Sequence, residues 1–219
     1  MTIKERYNRT IEYFQNTYPA AKTELSYASP FELLVAVILS AQCTDKRVNL
    51  ITPSLLQKYP DAESMSKAEP EEIFEYIKSC TYPNSKARHL SGMSRMLVSE
   101  FDGIIPSEPS LLQRLPGVGR KSANVVASVI FRKPVLAVDT HVFRVSHRIG
   151  LVKNAKTPLS VELQLTSHFP EEMIHDAHHW LILHGRYICT ARNPLCSRCG
   201  LTGFCNYYRK SKKFVTFNA

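Results

Sequence analysis

Apolar positions along the chain recur at helical spacing almost throughout, and no segment alternates convincingly as a strand. The pattern therefore predicts an all-α protein. Ser29-Pro30-Phe31-Glu32 reads as a capping box with proline at the first helical position. It opens a run from Leu33 to Leu39 that is apolar all round, as a buried central helix should be. A charged helix is expected near Asp45 to Tyr59, closed by Pro60. Ser66 and Glu69 read as the cap of another helix, with Ile73 and Ile77 on one face, and Asn84 as the start of a fourth carrying Ala87, Leu90 and Leu97. Further on, Thr157-Pro158 starts one helix, and Pro170 with two glutamates starts another that runs toward Ile188.

The most punctuated stretch lies between Leu111 and Ile130. A short helix is expected to end at Pro116, Gly117 and Gly119 to bracket Val118 in a tight turn, and a second helix to begin near Arg120. Two glycines there allow positive φ and close backbone approach. N–H groups at the start of the second helix then form an anion site, with Arg120 and Lys121 beside it. A plain helix–helix connection would also use glycine, but it needs neither the cations nor the exposed donors. The segment resembles the helix-hairpin-helix motif, which grips DNA phosphates without reading sequence.

Charge supports that direction. The 219-residue chain has 28 Lys+Arg against 19 Asp+Glu, a net +9, and such a balance favours polyanionic partners. No window holds the eighteen or more apolar residues of a membrane span, so a membrane partner is not expected. The N-terminus has no apolar leader core, and Glu5 argues against a transit peptide. A soluble, cytoplasmic protein is expected, with reduced thiols free to bind metal. The basic Lys210-Ser-Lys-Lys end reads as a solvated tail near phosphate or a disordered terminus.

Four of the six cysteines are packed into Cys189-x6-Cys196-x2-Cys199-x5-Cys205. Four clustered thiolates suit one metal centre. A structural zinc site usually pairs two tight knuckles, whereas here only Cys196 and Cys199 are close. The looser arms leave room for a cubane with one thiolate per iron. Zinc and unliganded thiols stay open from the spacing alone.

Two further residues carry candidate chemistry. Lys121 falls in the first turn of the second hairpin helix, where the helix dipole and Arg120 both disfavour its ammonium form. Such a lysine can be a nucleophile, or simply a phosphate contact. Asp139, in Val138-Asp139-Thr140-His141, should cap a helix carrying Val142, Val145 and Ile149. If it also faces Lys121 it can accept protons or stabilise positive charge on a sugar.

Hairpin, Lys121, Asp139 and the four cysteines, in this order, resemble the endonuclease III family of DNA glycosylase/lyases. So do Ser29–Leu34, Leu39–Asp45, Asn84–Ala87 and His178–Arg186, and the likeness covers nearly the whole chain. It implies two helical lobes: a central helical barrel at 23–133 that contains the hairpin at about 111–130, and a cluster lobe from 1–22 and 134–219. It implies a base-excision repair enzyme that removes oxidised pyrimidines from damaged double-stranded DNA, then cleaves the abasic strand by β-elimination. Lys121 would be the Schiff-base nucleophile and Asp139 its partner, and Cys189, Cys196, Cys199 and Cys205 would hold a structural 4Fe–4S cluster. Leu115, Gly117, Val118, Gly119 and Arg120 of the hairpin would meet DNA. Gln42 would fill the space left by the extruded base, and Arg192 would present charge to the backbone. A monomer is expected, because no surplus apolar surface is evident.

Two departures stand out. The family often has alanine where Cys43 stands, and a glycine, an aliphatic or aromatic residue and tyrosine where this chain has Thr81-Tyr82-Pro83. Tyr82 is the candidate to replace the family's wedge on the opposite strand. Adenine-removing mismatch glycosylases share hairpin, aspartate and cluster but lack lysine at the Lys121 position, and Ala36–Ser40 offers no carboxylate in place of their glutamate. A non-catalytic DNA-binding module and a redox protein are rival classes. The first predicts survival of function after Lys121→Gln, and the second explains neither Lys121 nor the charge.

Overall fold

In a computed structural model the described residues are 1–215, with side chains described to Ser211. Among them every regular element is helical. The chain divides into two compact units, Thr23–Lys133, and Met1–Lys22 with the chain from Pro134 on.

The central unit is built around α2 (Pro30–Ser40), whose residues Leu33 to Leu39 are all buried. A helix apolar on every face has nowhere else to go. α3 (Asp45–Lys58), α6 (Pro83–Phe101) and α8 (Arg120–Phe131) pack on it. The Ser29 hydroxyl accepts from Glu32 N at 3.2 Å, as a cap should. The Glu32 carboxylate, however, accepts from Ala28 N at 2.6 Å and not from the cap residue, so the box is closed one residue upstream. Pro53 lies inside α3, unmarked by the apolar pattern.

Two helix starts differ from expectation. Asp61, accepting from Ser64 N, caps the short α4 (Ala62–Ser66), so Ser66 ends a helix and caps none. Glu69 is the N-cap of α5 (Pro70–Ile77), where Pro70 fixes the first turn. α6 begins at Pro83, one residue before Asn84. Its flanking residues Tyr82 and Asp102 are both left-handed, at φ 54° and 51°. α4 and α5 pack along α6. The short α7 (Pro109–Leu112) stops four residues before Pro116, because Leu112 to Leu115 tighten into successive three-residue turns.

The second unit comprises α1 (Ile3–Thr17), α9 (Thr140–Ile149), α10 (Pro158–Thr166), α11 (Ile174–Tyr187) and α12 (Asn206–Val215). The α11 segment begins with a single 3-10 turn at Glu171–Met173. Phe14 of α1, Val145 of α9 and Trp180 of α11 share one core. Each such buried side chain contributes roughly 1.5–3 kcal/mol. Buried polar tips find partners: Tyr7 Oη donates to Leu151 O at 3.0 Å and Trp180 Nε1 to Tyr18 O at 3.1 Å. α1 is therefore stitched to the C-terminal third of the chain. The Lys210-Ser-Lys-Lys segment is helical within α12, and the side chains of Lys212 and Lys213 lie outside the described residues.

Candidate active site and metal centre

The hairpin turn follows α7 and ends at Gly119, the N-cap of α8. Val118 N donates to Leu115 O at 3.0 Å, which folds the turn back on itself. Gly117 has φ 81°, and a Cβ there would lie 2.8 Å from the His89 side chain, so both backbone and packing exclude other residues. Gly119 does not use the positive φ open to glycine: its φ is −86°, a value any residue adopts. A Cβ on it would meet no atom within 4 Å. What Gly119 keeps clear is solvent space in front of the helix start. N–H groups of the first turn of α8 have no intrahelical acceptor and point that way.

Leu115 and Val118 are buried at 2% and 5% exposure, so their side chains anchor the turn and only their backbone can face a ligand. Arg120 and Lys121 are exposed in the first turn of α8. Behind them Ala123, Val126 and Ala127 are fully buried in the central unit. Lys121 thus stands on a rigid, buried helix while its own side chain stays free to reach outward.

Gln42 and Tyr82 come from loops of the same unit, and the fold brings those loops together. The link is Lys86 of α6, buried at 4% exposure, whose Nζ donates to Leu39 O at 2.8 Å and Ala41 O at 2.7 Å. These are carbonyls at the C-terminal end of α2, where a cation is favoured. Lys86 Nζ also lies 3.2 Å from Cys80 Sγ. Both loops carry a non-glycine residue in the left-handed region, Gln42 at φ 53° and Tyr82 at φ 54°. Each such residue costs of order 1–3 kcal/mol and persists only where its surroundings hold it. Both side chains are exposed, Tyr82 to 62%. The sequence pattern gave no hint of Lys86 in this role, since a lysine in a helix ordinarily reads as surface.

In the second unit Asp139 is the N-cap of α9, where its Oδ1 accepts from Val142 N at 2.8 Å. Oδ2 has no hydrogen-bond partner among the described residues. The half-buried carboxylate is thus fixed by one oxygen and available through the other. His178 of α11 is buried with Nδ1 3.0 Å from Ala137 O, which braces the approach to Asp139.

The four cysteines line one cavity, walled by Ile149, Ile188, Pro194 and Leu201. Among the described residues no three Cys, His, Asp or Glu side chains converge on a single-ion site. Four thiols around a shared space fit a cubane with a thiolate on each corner iron. Burial, with the neighbouring sulfurs, pushes the Cys199 thiol up to about 11, and burial followed by Cys189 and Cys205 raises Cys196. Thiolates in such a place need metal cations to exist at neutral pH. His184, buried beside Cys199 with Nε2 3.6 Å from its sulfur, is pushed down to about 4 by burial and is a neutral ring.

Arg144 and Arg148 of α9 hold the loop that carries Arg192. Arg148 donates to Thr190 O and Ala191 O, both at 2.7 Å, and reaches Cys189 Sγ at 3.5 Å. Arg144 Nε donates to Cys189 O at 3.1 Å. Arg192 itself is exposed on this braced loop. Neither bracing arginine was foreseen, although the spacing of four along α9 would have put both on one face.

A family model for HhH-GPD superfamily base excision DNA repair proteins matches residues 35–171. A second, for the iron–sulfur binding domain of endonuclease III, matches residues 189–205. Fold and family models together define a helix-hairpin-helix base-excision repair protein with an iron–sulfur domain. The chain belongs to the endonuclease III family of that superfamily. It is 48% identical to endonuclease III of Rickettsia conorii, over 92% of this chain and 95% of that one. It is 44% identical to endonuclease III of Escherichia coli K12, over 88% and 90%. The solved structure of a trapped endonuclease III–DNA covalent intermediate is similar at TM-score 0.91 and 40% identity, covering 97% of this chain and all of that one. A thermostable thymine-DNA glycosylase, at 23% identity and TM-score 0.86, shares the fold. The protein is a DNA-binding repair enzyme, a glycosylase and abasic-site lyase, with a 4Fe–4S cluster. No helix of the described residues is long and apolar enough to cross a membrane.

Proposed function

We propose that the enzyme acts as a monomer in the cytoplasm on damaged duplex DNA and removes oxidised pyrimidines. Thr23–Lys133 supplies the nucleophile and the DNA grip, and the other unit supplies the carboxylate and the cluster. The damaged nucleotide leaves the stack, which costs least where damage has already weakened stacking. Gln42 occupies the space it leaves, and Tyr82 serves the opposite strand. Hairpin N–H groups around Gly117 to Arg120 hold a phosphate, and Arg192 adds a cation to the backbone. Lys121 Nζ, as the free amine, attacks the deoxyribose C1′ while the C1′–N bond to the base breaks and the base departs with its electron pair. Asp139, through the unengaged Oδ2, stabilises positive charge at the sugar and takes the proton from Nζ. Ring opening gives a Schiff base between Lys121 and C1′. Loss of a C2′ proton then expels the 3′ phosphate by β-elimination, and water releases the lysine. When bound, the cluster cross-links the C-terminal segment and takes no part in these steps.

The observation that carries this reading is the placement of an exposed lysine one residue into the helix whose N-terminus forms the hairpin anion site. Borohydride reduction on a duplex with one thymine glycol tests it. A covalent protein–DNA adduct is expected, and it should vanish in Lys121→Gln. An adduct that persists in that variant would refute the nucleophile. No adduct on either thymine glycol or a plain abasic site, by a protein that binds DNA, would refute the lyase mechanism.

A further inference from the structure

The two cysteines outside the cluster lie against each other in the central unit. Cys43 follows Gln42, and Cys80 precedes Tyr82 by two residues. Cys80 is buried at 4% exposure and Cys43 is half-buried, so one thiol is reachable from solvent and the other is shielded behind it. The Cys80 thiol donates to Leu39 O at 3.5 Å, and the Cys43 and Cys80 side chains are near enough to influence each other's acidity. Lys86 Nζ sits 3.2 Å from Cys80 Sγ, a buried ammonium with two backbone carbonyls and a sulfur as its partners. Lys86 thus ties Cys80 to the loop that carries Cys43, and the two neighbouring thiols, graded in exposure, form a pair for which neither cluster nor hairpin has a use.

We propose that Cys43 and Cys80 are a reversible disulfide site, oxidised by a low-molecular-weight disulfide, and that the bridge disables the Gln42 and Tyr82 loops for DNA engagement. Attack begins at Cys43, whose thiolate forms a mixed disulfide and releases one small thiolate. The Cys80 sulfur, stabilised as thiolate by Lys86, then attacks the Cys43 sulfur and expels the second small thiolate. The two protons lost by the cysteines are taken by the two released thiolates, so the exchange balances without another reactant. Burial raises the Cys43 thiol, but hydrogen bonding with Thr81, the neighbouring Cys80 and the charge of Lys86 outweigh it and leave it below its ordinary value. Burial keeps Cys80 above its own. Exposure and acidity therefore agree on which sulfur attacks first.

The consequence follows from the loops. A bridge replaces a nonbonded contact by a bond of about 2.0 Å with a restricted dihedral. It joins the segments in which Gln42 and Tyr82 are already held in the left-handed region, where little freedom is left to absorb the movement. It also removes the sulfur partner of Lys86, whose other bonds fix the end of α2. This half of the proposal rests on the assignment of Gln42 and Tyr82 to DNA.

The experiment uses the intact holoprotein with glutathione disulfide as probe, and cluster absorbance is followed throughout. After alkylation and digestion, mass spectrometry should find one peptide pair linking Cys43 to Cys80, with the cluster retained. Absence of that pair, or glutathione left on Cys43 alone, overturns the disulfide. Nicking of an abasic duplex by the oxidised protein should fall at least about ten-fold, as small displacements near a reacting centre do. Dithiothreitol should restore it. Cys43→Ala should keep its activity under the same treatment. A bridged protein that binds and nicks as before overturns the regulatory half. If the reduced wild-type protein does not nick, the proposed function fails while the peptide measurement still decides the disulfide.

Discussion

The hairpin and the cysteine lobe solve the same problem, holding a functional group rigidly at a surface, by opposite means. The hairpin works through backbone. The polar groups it leaves open are N–H donors, its glycines differ in what they keep clear, and its apolar residues Leu115 and Val118 are buried as anchors. The cysteine lobe works through side chains. Its loop from Cys189 to Cys196 has little regular structure, so Arg144 and Arg148 hold its carbonyls from a neighbouring helix. A backbone site is vulnerable to added atoms. A side-chain site is vulnerable to removed ones.

The largest expected effect breaks the chemistry and leaves both scaffolds alone. Lys121→Gln should abolish strand cleavage, while affinity for an abasic duplex, measured by fluorescence anisotropy, changes by less than about 1 kcal/mol for one exposed cation. Next comes removal of a side-chain ligand. Cys199→Ser should lose the visible cluster absorbance and destabilise the second unit by more than about 4 kcal/mol in thermal unfolding, because a buried four-fold cross-link is lost. Unchanged melting with the cluster gone would make the lobe self-supporting.

Asp139→Asn separates cap from chemistry. Asparagine caps as well as aspartate, so stability should hold within about 0.5 kcal/mol. Base removal in single-turnover assays should slow by about 10²-fold or more, as for lost acid–base assistance. An unchanged rate would reduce Asp139 to a helix cap. The glycines then give the finest contrast. Gly117→Ala meets both a positive φ and the His89 side chain, and should cost about 1–3 kcal/mol of stability as well as DNA affinity. Gly119→Ala enters open space, so its stability should stay within about 1 kcal/mol of wild type while DNA affinity alone falls. Equal behaviour of the two variants would erase the distinction between a glycine that serves the fold and one that serves the ligand.

The same contrast explains what the sequence could reveal. α2 was legible because a serine cap and a first-turn proline open its seven-residue apolar run, and Asp139 because an N-cap is a local signal. The Ser66 cap was misplaced because Asp61 and Pro70, equally local, compete for the same stretch and win. Which of the two hairpin glycines takes the positive φ was not legible, since spacing cannot tell a strained glycine from a merely small one. Lys86, Arg144 and Arg148 were not legible at all. Each bonds at least one backbone carbonyl more than forty positions away, and no composition or period encodes that.

The most direct measurement is to map the attachment site in the borohydride-reduced protein–DNA adduct by tandem mass spectrometry. The deoxyribose remnant is expected on Lys121 Nζ and nowhere else. A remnant on another amine, with Lys121 unmodified, would contradict the assignment of that lysine as the nucleophile carried by the hairpin helix.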